Sequence, residues 1–173
     1  MNYTKILKAD ISNGLGFRCT LWVSGCLRKC PGCFNPEAQD PEFGKPFDDD
    51  AKSRIFRELE EPTCSGLSLM GGEPMSVCSD NRKQIIELCR EVKERFPEKD
   101  IWMWSGYLYE EISEDPDMMD VLDYIDVLVD GPFEEMRKDL ACPFRGSNNQ
   151  RVIDVQKSRR QGEIVEVNFD KDK

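Results

Sequence analysis

Three cysteines on one short loop are the residues of this chain best suited to chemistry. Cys26, Cys30 and Cys33 form a C-x3-C-x2-C triplet that is followed directly by Phe34. Three thiolates this close together can hold three irons of a cubane iron–sulfur cluster, whereas an all-cysteine cluster takes four ligands. The missing fourth ligand would leave one iron open to bind a group that is not protein. The triplet therefore predicts an enzyme rather than an electron carrier.

A structural zinc site is the alternative interpretation of the triplet. Such a site needs four ligands, and its cysteines usually come in C-x2-C pairs. Because the chain has no histidine, the fourth ligand would have to be a distant cysteine or a carboxylate. Among the other cysteines, Cys19 and Cys89 fit core positions. A second cluster is the less favoured interpretation of the remaining three, which fall in loops without ligand spacing: Cys64, Cys78 and Cys142.

The absence of histidine excludes several other kinds of site. It removes Cys-His nucleophilic pairs, Ser-His-Asp triads and mixed Cys/His zinc sites. General acid–base catalysis near neutral pH would need a carboxylate, a lysine or a cysteine with a shifted pKa. Sulfur is therefore the most reactive group that the chain offers.

A second motif, Gly71-Gly72-Glu73-Pro74, follows a predicted strand. Two adjacent glycines allow positive φ and let the backbone approach a ligand closely. Their N–H and C=O groups can bind a small zwitterion, such as the ammonium and carboxylate of an amino acid, and Glu73 would add a negative charge nearby. An ordinary tight turn is the alternative. The polar run between Arg145 and Arg151 likewise has two interpretations, a loop that contacts a ligand or partner and a merely exposed loop.

The elements that must position these motifs alternate between strand and helix. Apolar segments predict five strands and a short terminal sixth, at 18–24, 67–70, 101–104, 127–129, 151–155 and 164–169. Helices are predicted after Asp48, a good N-cap, and over 81–96. This alternation predicts an α/β fold with a parallel sheet, whose strands present ligand groups at their carboxyl ends. The cysteine loop, the glycine pair and polar turns at 105–107 and 130–131 all fall at such ends, so we expect one site there.

Length and charge limit the kind of protein. We expect one domain over 1–173, with a frayed tail at 170–173. The net charge of −10 argues against nucleic acid or an anionic membrane as a partner. No apolar run reaches membrane-spanning length, and the N-terminus lacks the apolar core of a signal peptide. A reducing cytoplasmic location is therefore expected, where clustered cysteines indicate metal binding or catalysis rather than disulfides.

These motifs together resemble those of the radical S-adenosylmethionine (SAM) enzymes and, among them, the activating proteins of anaerobic ribonucleoside-triphosphate reductase. The cysteine triplet followed by an aromatic residue is the signature of the superfamily. The narrower resemblance covers nearly the whole chain and rests on Asn13-Gly14-x-Gly16-x-Arg18-Cys19-Thr20-Leu21, Ser24 to Asn35, Gly71 to Pro74, Trp104-Ser105-Gly106-Tyr107, Asp126 to Gly131, and Arg145-Gly146-Ser147-x-Asn149-Gln150-Arg151.

The chain departs from this family pattern at three positions. Leu15, Arg28 and Phe34 stand where Pro, His and Tyr are frequent in the family. None of the three is a cluster ligand. The departures therefore bear on the fine tuning of the site and on the surface that meets the partner, rather than on the reaction.

The resemblance implies a cluster, a cosubstrate and a reaction. Cys26, Cys30 and Cys33 would hold a [4Fe-4S] cluster, and the amino and carboxylate groups of SAM would chelate the fourth iron. One electron from the cluster would cleave SAM to methionine and a 5′-deoxyadenosyl radical. Phe34 would contact the adenine, and the glycine motif would bind the methionine amino group. The full set implied to line the SAM site is Gly32, Cys33, Phe34, Gly71, Gly72 and Glu73.

The resemblance also implies partners and a fold. The radical would abstract a hydrogen from a glycine Cα on the large subunit of anaerobic ribonucleotide reductase and leave a glycyl radical there. A reduced flavodoxin or ferredoxin type protein would supply the electron. The implied fold is a compact partial (β/α) barrel of about five to six parallel strands. The alternatives are an activase of another glycyl radical enzyme, a radical SAM enzyme acting on a small molecule, and a non-enzymatic iron–sulfur or zinc-binding module.

Overall fold

A seven-stranded sheet organises the computed structural model, which describes residues 1–167 and 169. The strands are β1 (Asn2–Asp10), β2 (Phe17–Val23), β3 (Lys45–Pro46), β4 (Cys64–Gly71), β5 (Asp100–Trp104), β6 (Val127–Asp130) and β7 (Arg151–Asp154). The α-helices are α1 (Asp49–Leu59), α2 (Asn81–Arg95), α3 (Tyr109–Glu114) and α4 (Val155–Gln161). Short 3-10 helices lie at Pro36–Gln39, Cys78–Asp80, Met119–Asp123 and Glu135–Arg137. The predicted frayed tail, 170–173, lies outside the described residues.

The sheet is mixed rather than parallel throughout. Its strand order is β3-β1-β2-β4-β5-β6-β7, and β2, β4, β5 and β6 run parallel to one another. The strand β1 pairs antiparallel with both of its neighbours, and β7 pairs antiparallel with β6. The prediction of five to six parallel strands is therefore wrong, although the prediction of an α/β fold is confirmed.

The connection before β7 explains its direction. Parallel neighbours need a crossover, usually helical, that carries the chain back to the starting edge of the sheet. The segment 131–150, which is described throughout, contains one 3-10 helix of three residues and no α-helix, so the chain returns in the opposite direction. Val155, predicted as the end of this strand, instead begins α4.

The predicted terminal strand at 164–169 is represented by a short pairing with β7. Backbone hydrogen bonds of 2.8 Å run from the Asp154 N–H to the Val165 carbonyl and from the Val167 N–H to the Val152 carbonyl. Asn168 lies outside the described residues. The segment 165–167 thus covers the edge of β7 through these backbone contacts.

The helices follow from local sequence signals. The predicted N-cap at Asp48 is confirmed, since its side chain accepts a hydrogen bond of 2.9 Å from the Ala51 N–H. Such a cap satisfies one of the free donors at the start of a helix. Ile55 and Leu59 recur at helical spacing and are fully buried. The second predicted helix is α2, which begins at Asn81 as expected.

The two faces of the sheet are covered differently. Alternate residues of β2, such as Cys19 and Leu21, join a large apolar cluster to which all four α-helices contribute. The opposite face holds a smaller cluster around Trp102, against which Phe144 packs with ring centroids 5.1 Å apart. Loop segments rather than α-helices therefore close this second face in the described structure. None of the described helices combines the length and apolar character needed to cross a membrane.

Candidate functional site

The cysteine loop begins where β2 ends. Gly25 adopts φ +93° and donates its N–H to the Ala38 carbonyl at 2.8 Å, and the Cys26 N–H bonds the Gln39 carbonyl at 3.1 Å. These bonds tie the start of the loop to the 3-10 helix at Pro36–Gln39. A further bond of 3.2 Å, from the Cys33 N–H to the Cys30 carbonyl, closes a turn at the end of the triplet. All three cysteines are free and half-buried.

A cavity of about 540 Å³ lies at the carboxyl ends of the four parallel strands. We call it the strand-end cavity. It brings together residues from the four segments predicted to share a site, namely the cysteine loop, the glycine motif and the turns after β5 and β6. Its lining includes Cys26, Cys30, Gly32, Cys33, Phe34, Gly71, Gly72, Glu73, Ser105 and Gly106. Every residue predicted to bind the cluster or SAM therefore faces one cavity, while the role of each in binding stays a prediction.

The donor set of the cavity fits an iron–sulfur cluster by its chemistry. Thiolates are the soft ligands that such clusters take, and no imidazole is available in the sequence to favour a mixed site. Within residues 1–167 and 169, no three cysteine or carboxylate side chains are grouped so as to hold a single metal ion as they stand. The fit therefore rests on donor type and on the shared cavity.

The backbone of the cysteine loop also affects the pKa of the Cys26 thiol. Burial raises the pKa of the Cys26 thiol, whereas hydrogen bonds from the backbone N–H groups of Arg28 and Lys29 favour its thiolate. A cluster ligand must be deprotonated. The two amides therefore offset part of the cost of burying charge on Cys26.

The two glycines of the second motif are required by close backbone packing. Gly71 has φ +119°, and a methyl group placed on it would lie 2.5 Å from the Val23 carbonyl oxygen. A methyl group on Gly72 would lie 2.6 Å from the Ala38 carbonyl oxygen. The motif thus packs against the end of β2 and against the segment that anchors the cysteine loop. This packing alone accounts for the glycines, so their contact with an amino group stays a prediction.

Glu73 links the ends of two strands. Its side chain is 2% exposed and accepts hydrogen bonds from the Ser105 hydroxyl (2.8 Å), the Gly106 N–H (2.7 Å) and the Met75 N–H (3.0 Å). Burial raises its pKa, and these three bonds act in the opposite direction. The carboxylate therefore ties the loop after β4 to the turn after β5. Its predicted contact with an ammonium group would be an additional interaction.

The aromatic residue after the triplet stands at the mouth of the cavity. Phe34 is 73% exposed, and its ring meets the Trp22 ring edge-on with centroids 5.8 Å apart. An exposed ring beside the thiols is free to contact a flat ligand such as a purine. Next to it, Gly32 has φ +67° and lies against the Glu135 side chain, so the segment 131–150 reaches the cysteine loop.

The cavity contains residues to which the sequence had assigned no role or a different one. Cys142, predicted to be an isolated loop cysteine, lines it, and its thiol donates to the Asp139 carboxylate at 3.3 Å. Arg28 and Lys138 line it as well. Only the polar run beginning at Arg145 offered a signal, because it suggested a ligand loop. The fold-back of 131–150 over the sheet has no periodic pattern that could have revealed the others.

This chain is similar to known proteins over most of its length. The family model described as a 4Fe-4S single cluster domain matches residues 12–153. The chain is 40% identical over 154 residues to the anaerobic ribonucleoside-triphosphate reductase-activating protein of Pasteurella multocida, a match that covers 88% of this chain and 96% of that protein. The proteins of the same name from Escherichia coli K12 and Enterobacteria phage T4 are also 40% identical over 154 residues, covering 97% and 93% of their lengths.

The matched region contains the cysteine loop, the glycine motif and all four parallel strands. It therefore includes every wall of the strand-end cavity. On this similarity, the chain belongs to the family of anaerobic ribonucleoside-triphosphate reductase-activating proteins and carries a 4Fe-4S single cluster domain.

Proposed function

We propose that this chain is a radical SAM enzyme that installs a glycyl radical on the large subunit of anaerobic ribonucleotide reductase. The observation that carries the proposal is the strand-end cavity, where three free thiols of one loop face a glycine motif and an exposed aromatic ring. Three cysteine ligands leave one iron of a [4Fe-4S] cluster without a protein ligand. A cosubstrate with an amino-acid end can take that position.

Each part of the cavity would have a distinct task. Cys26, Cys30 and Cys33 would hold the cluster, and Gly71–Glu73 would bind the amino group of SAM beside it. Phe34 and Gly32 would line the site of the adenine and ribose. When bound, the cluster would supply the electron that cleaves SAM to methionine and a 5′-deoxyadenosyl radical. The walls formed by 131–150 would limit the access of water to that radical.

The proposal extends to partners, place and fold. The names of the relatives give an anaerobic ribonucleoside-triphosphate reductase as the protein that they activate. For this chain we infer the same partner, an electron donor of the reduced flavodoxin or ferredoxin type, and a cytoplasmic location. We also infer that 1–173 forms one radical SAM domain, in which the four parallel strands are the core of a partial (β/α) barrel.

Anaerobic reconstitution with iron and sulfide tests the enzyme claim. The loaded chain should convert SAM to 5′-deoxyadenosine and methionine when a strong reductant is added. Cys26→Ser, Cys30→Ser and Cys33→Ser should each reduce product to the level of a protein-free blank. Cys64→Ser is the matched control, since this buried cysteine lies at the opposite end of β4 from the cavity. A chain that binds zinc stoichiometrically and never cleaves SAM would instead be a structural metal module.

A further inference from the structure

One side chain of the cysteine loop reaches across to the ends of the neighbouring strands. The guanidinium of Arg28 lies 4.2 Å from the centroid of the Tyr107 ring. Its Nη2 is 3.5 Å from the Glu111 carboxylate, and its Nε is 4.0 Å from Oε2 of Glu73. A single residue located between two cysteines of the triplet thus contacts the segments that follow β4 and β5.

The structure leaves space for this side chain at one glycine. A methyl group placed on Gly106 would collide with Cδ and Nε of Arg28. Gly106 has no positive φ that would itself require glycine. Its N–H meanwhile donates to Glu73 at 2.7 Å. A side chain at position 106 would therefore have to displace the aliphatic stem of Arg28 that lies over it.

The contacts of Arg28 fix the position of its positive charge without fully neutralising that charge. The 4.0 Å separation from Glu73 is too long for a hydrogen bond, and the Nε–H is buried without an acceptor among the described residues. The side chain as a whole is 23% exposed and lines the strand-end cavity with Cys26 and Cys30. A cation in such a partly desolvated position interacts with nearby charge more strongly than it would in water.

We propose that Arg28 is a positioning residue, whose guanidinium pins the cysteine loop to the ends of β4 and β5 and fixes a positive charge in the strand-end cavity that the three cysteines line. The inference uses the cluster site of the proposed function and is independent of SAM cleavage. Its two parts, the pinning and the charge, are separable by substitution. Arg28→Gln removes both, Arg28→Lys keeps the charge, and Gly106→Ala displaces the arginine while leaving it in the chain.

Hydrogen–deuterium exchange of the cluster-free chain tests the pinning. Amides of the peptide 25–34 should exchange several-fold faster in Arg28→Gln and in Gly106→Ala than in the unaltered chain, because opening of the loop becomes easier. Arg82→Gln is the matched control: Arg82 lies 6.0 Å from the same Tyr107 ring, and it bonds Met75 and Asp115 rather than the cysteine loop. Unchanged exchange in both test variants would overturn the proposal.

The reduction equilibrium of the reconstituted cluster, measured without SAM, tests the charge. At a fixed ambient potential, the ratio of reduced to oxidised cluster should fall about tenfold in Arg28→Gln, ~59 mV for one electron. Arg28→Lys should restore most of the ratio, and Arg82→Gln should leave it within about twofold. A ratio that does not move in Arg28→Gln, or that Arg28→Lys fails to restore, would reduce Arg28 to a packing residue and overturn the proposal.

These two readouts also separate the inference from the proposed function. A chain that holds a cluster and shows both effects, yet never cleaves SAM, would refute the enzyme claim and leave the role of Arg28 intact. A chain that cleaves SAM, and in which Arg28→Gln changes neither the amide exchange nor the reduction ratio of the cluster, would refute the role of Arg28 and leave the enzyme claim intact.

Discussion

Burial divides the cysteines of this chain into two groups. Cys19 and Cys89 are fully buried, and burial raises the pKa of each thiol to about 12. Each unit of pKa above the solution pH lowers the thiolate fraction about tenfold, and the thiolate is the reactive form. The cysteines that line the strand-end cavity are half-buried. The fold thus protects the core thiols and leaves the candidate ligands accessible.

Native alkylation checks this division. In the cluster-free chain at mildly alkaline pH, iodoacetamide should label Cys30 and Cys33 first, while Cys19 and Cys89 should stay unmodified until denaturant is added. Peptide mass spectrometry over time gives the rate at each position. Labelling of Cys89 in the folded chain at a rate similar to that of Cys30 would contradict the burial described here.

Asp10 organises the loop that follows β1. Its carboxylate accepts bonds from the Ser12 N–H (2.9 Å), the Asn13 amide (2.6 Å) and the Thr20 hydroxyl (2.7 Å). Partial burial acts to raise its pKa, but these bonds together hold that pKa below its ordinary value. Ser12 and Asn13 line the strand-end cavity, so this carboxylate positions part of its wall.

The sign of this shift predicts a pH dependence. An acid whose pKa is lower in the folded state stabilises the fold above its unfolded pKa and loses that contribution as pH falls through the folded value. Asp10→Asn should therefore lower the free energy of unfolding by about 1 kcal/mol near neutral pH. The difference from the unaltered chain should shrink as the pH falls below about 4. Urea unfolding at a series of pH values measures it, and a difference independent of pH would contradict the assignment.

At the scale of elements, the end of β4 is the point where the sheet and the site meet. Gly71 is the last residue of the strand, and it lies against Val23 at the end of β2. Both its positive φ and the lack of space exclude a side chain there. The cysteine loop and the glycine motif are held in contact by this junction.

Gly71→Ala should therefore destabilise the chain by about 2–4 kcal/mol, since strain and a backbone clash add together. Gly162→Ala is the matched control, because Gly162 also has positive φ (+71°) but has no atom within 4 Å of the added methyl group. Its cost should be only about 1–2 kcal/mol. Urea unfolding of both variants compares them. Equal losses would show that the clash at Gly71 is relieved by movement.

The motif from Asn13 to Arg18 gains a structural explanation. Arg18 is fully buried; its Nε donates to the Ser68 hydroxyl at 2.7 Å, and that hydroxyl donates to the Asn13 carbonyl at 2.6 Å. Gly14 has φ +117°, and a methyl group on it would lie 2.7 Å from Arg18 Cδ. This part of the family pattern therefore folds the loop onto the sheet and shapes the cavity indirectly.

The parallel strands and their loops could be predicted because their signals are local. Short apolar runs ending in glycine or polar residues identified β4, β5 and β6. Because parallel strands present ligand groups at their carboxyl ends, the loops after these strands are expected at one site. The direction of β7 could not be predicted in the same way, because it depends on a connection without a helix. The two-residue strand β3 (Lys45–Pro46) has no hydrophobic pattern at all. The contacts of Arg28 are long-range, so they emerge only in three dimensions.

At the scale of the whole molecule, structural and chemical tasks are assigned to opposite faces of the sheet. The α-helices pack on one face and form most of the core, whereas loops close the other face around the strand-end cavity. The rigid layer thereby supports the strand ends, and the loops are free to carry binding residues. This division suits the proposed function, in which the site would bind a cosubstrate and be reached by a second protein.

In the proposed reaction, a hydrogen atom passes from a glycine of the reductase to the radical formed in this cavity. The most direct measurement uses a reductase large subunit labelled with deuterium at its glycine Cα positions, incubated anaerobically with the reconstituted chain, SAM and a strong reductant. We expect this transfer to place deuterium in the 5′-deoxyadenosine and to leave a glycyl radical on the reductase, detected by electron paramagnetic resonance, with both signals lost in Cys30→Ser and kept in Cys64→Ser. Production of 5′-deoxyadenosine without deuterium and without a glycyl radical would contradict it.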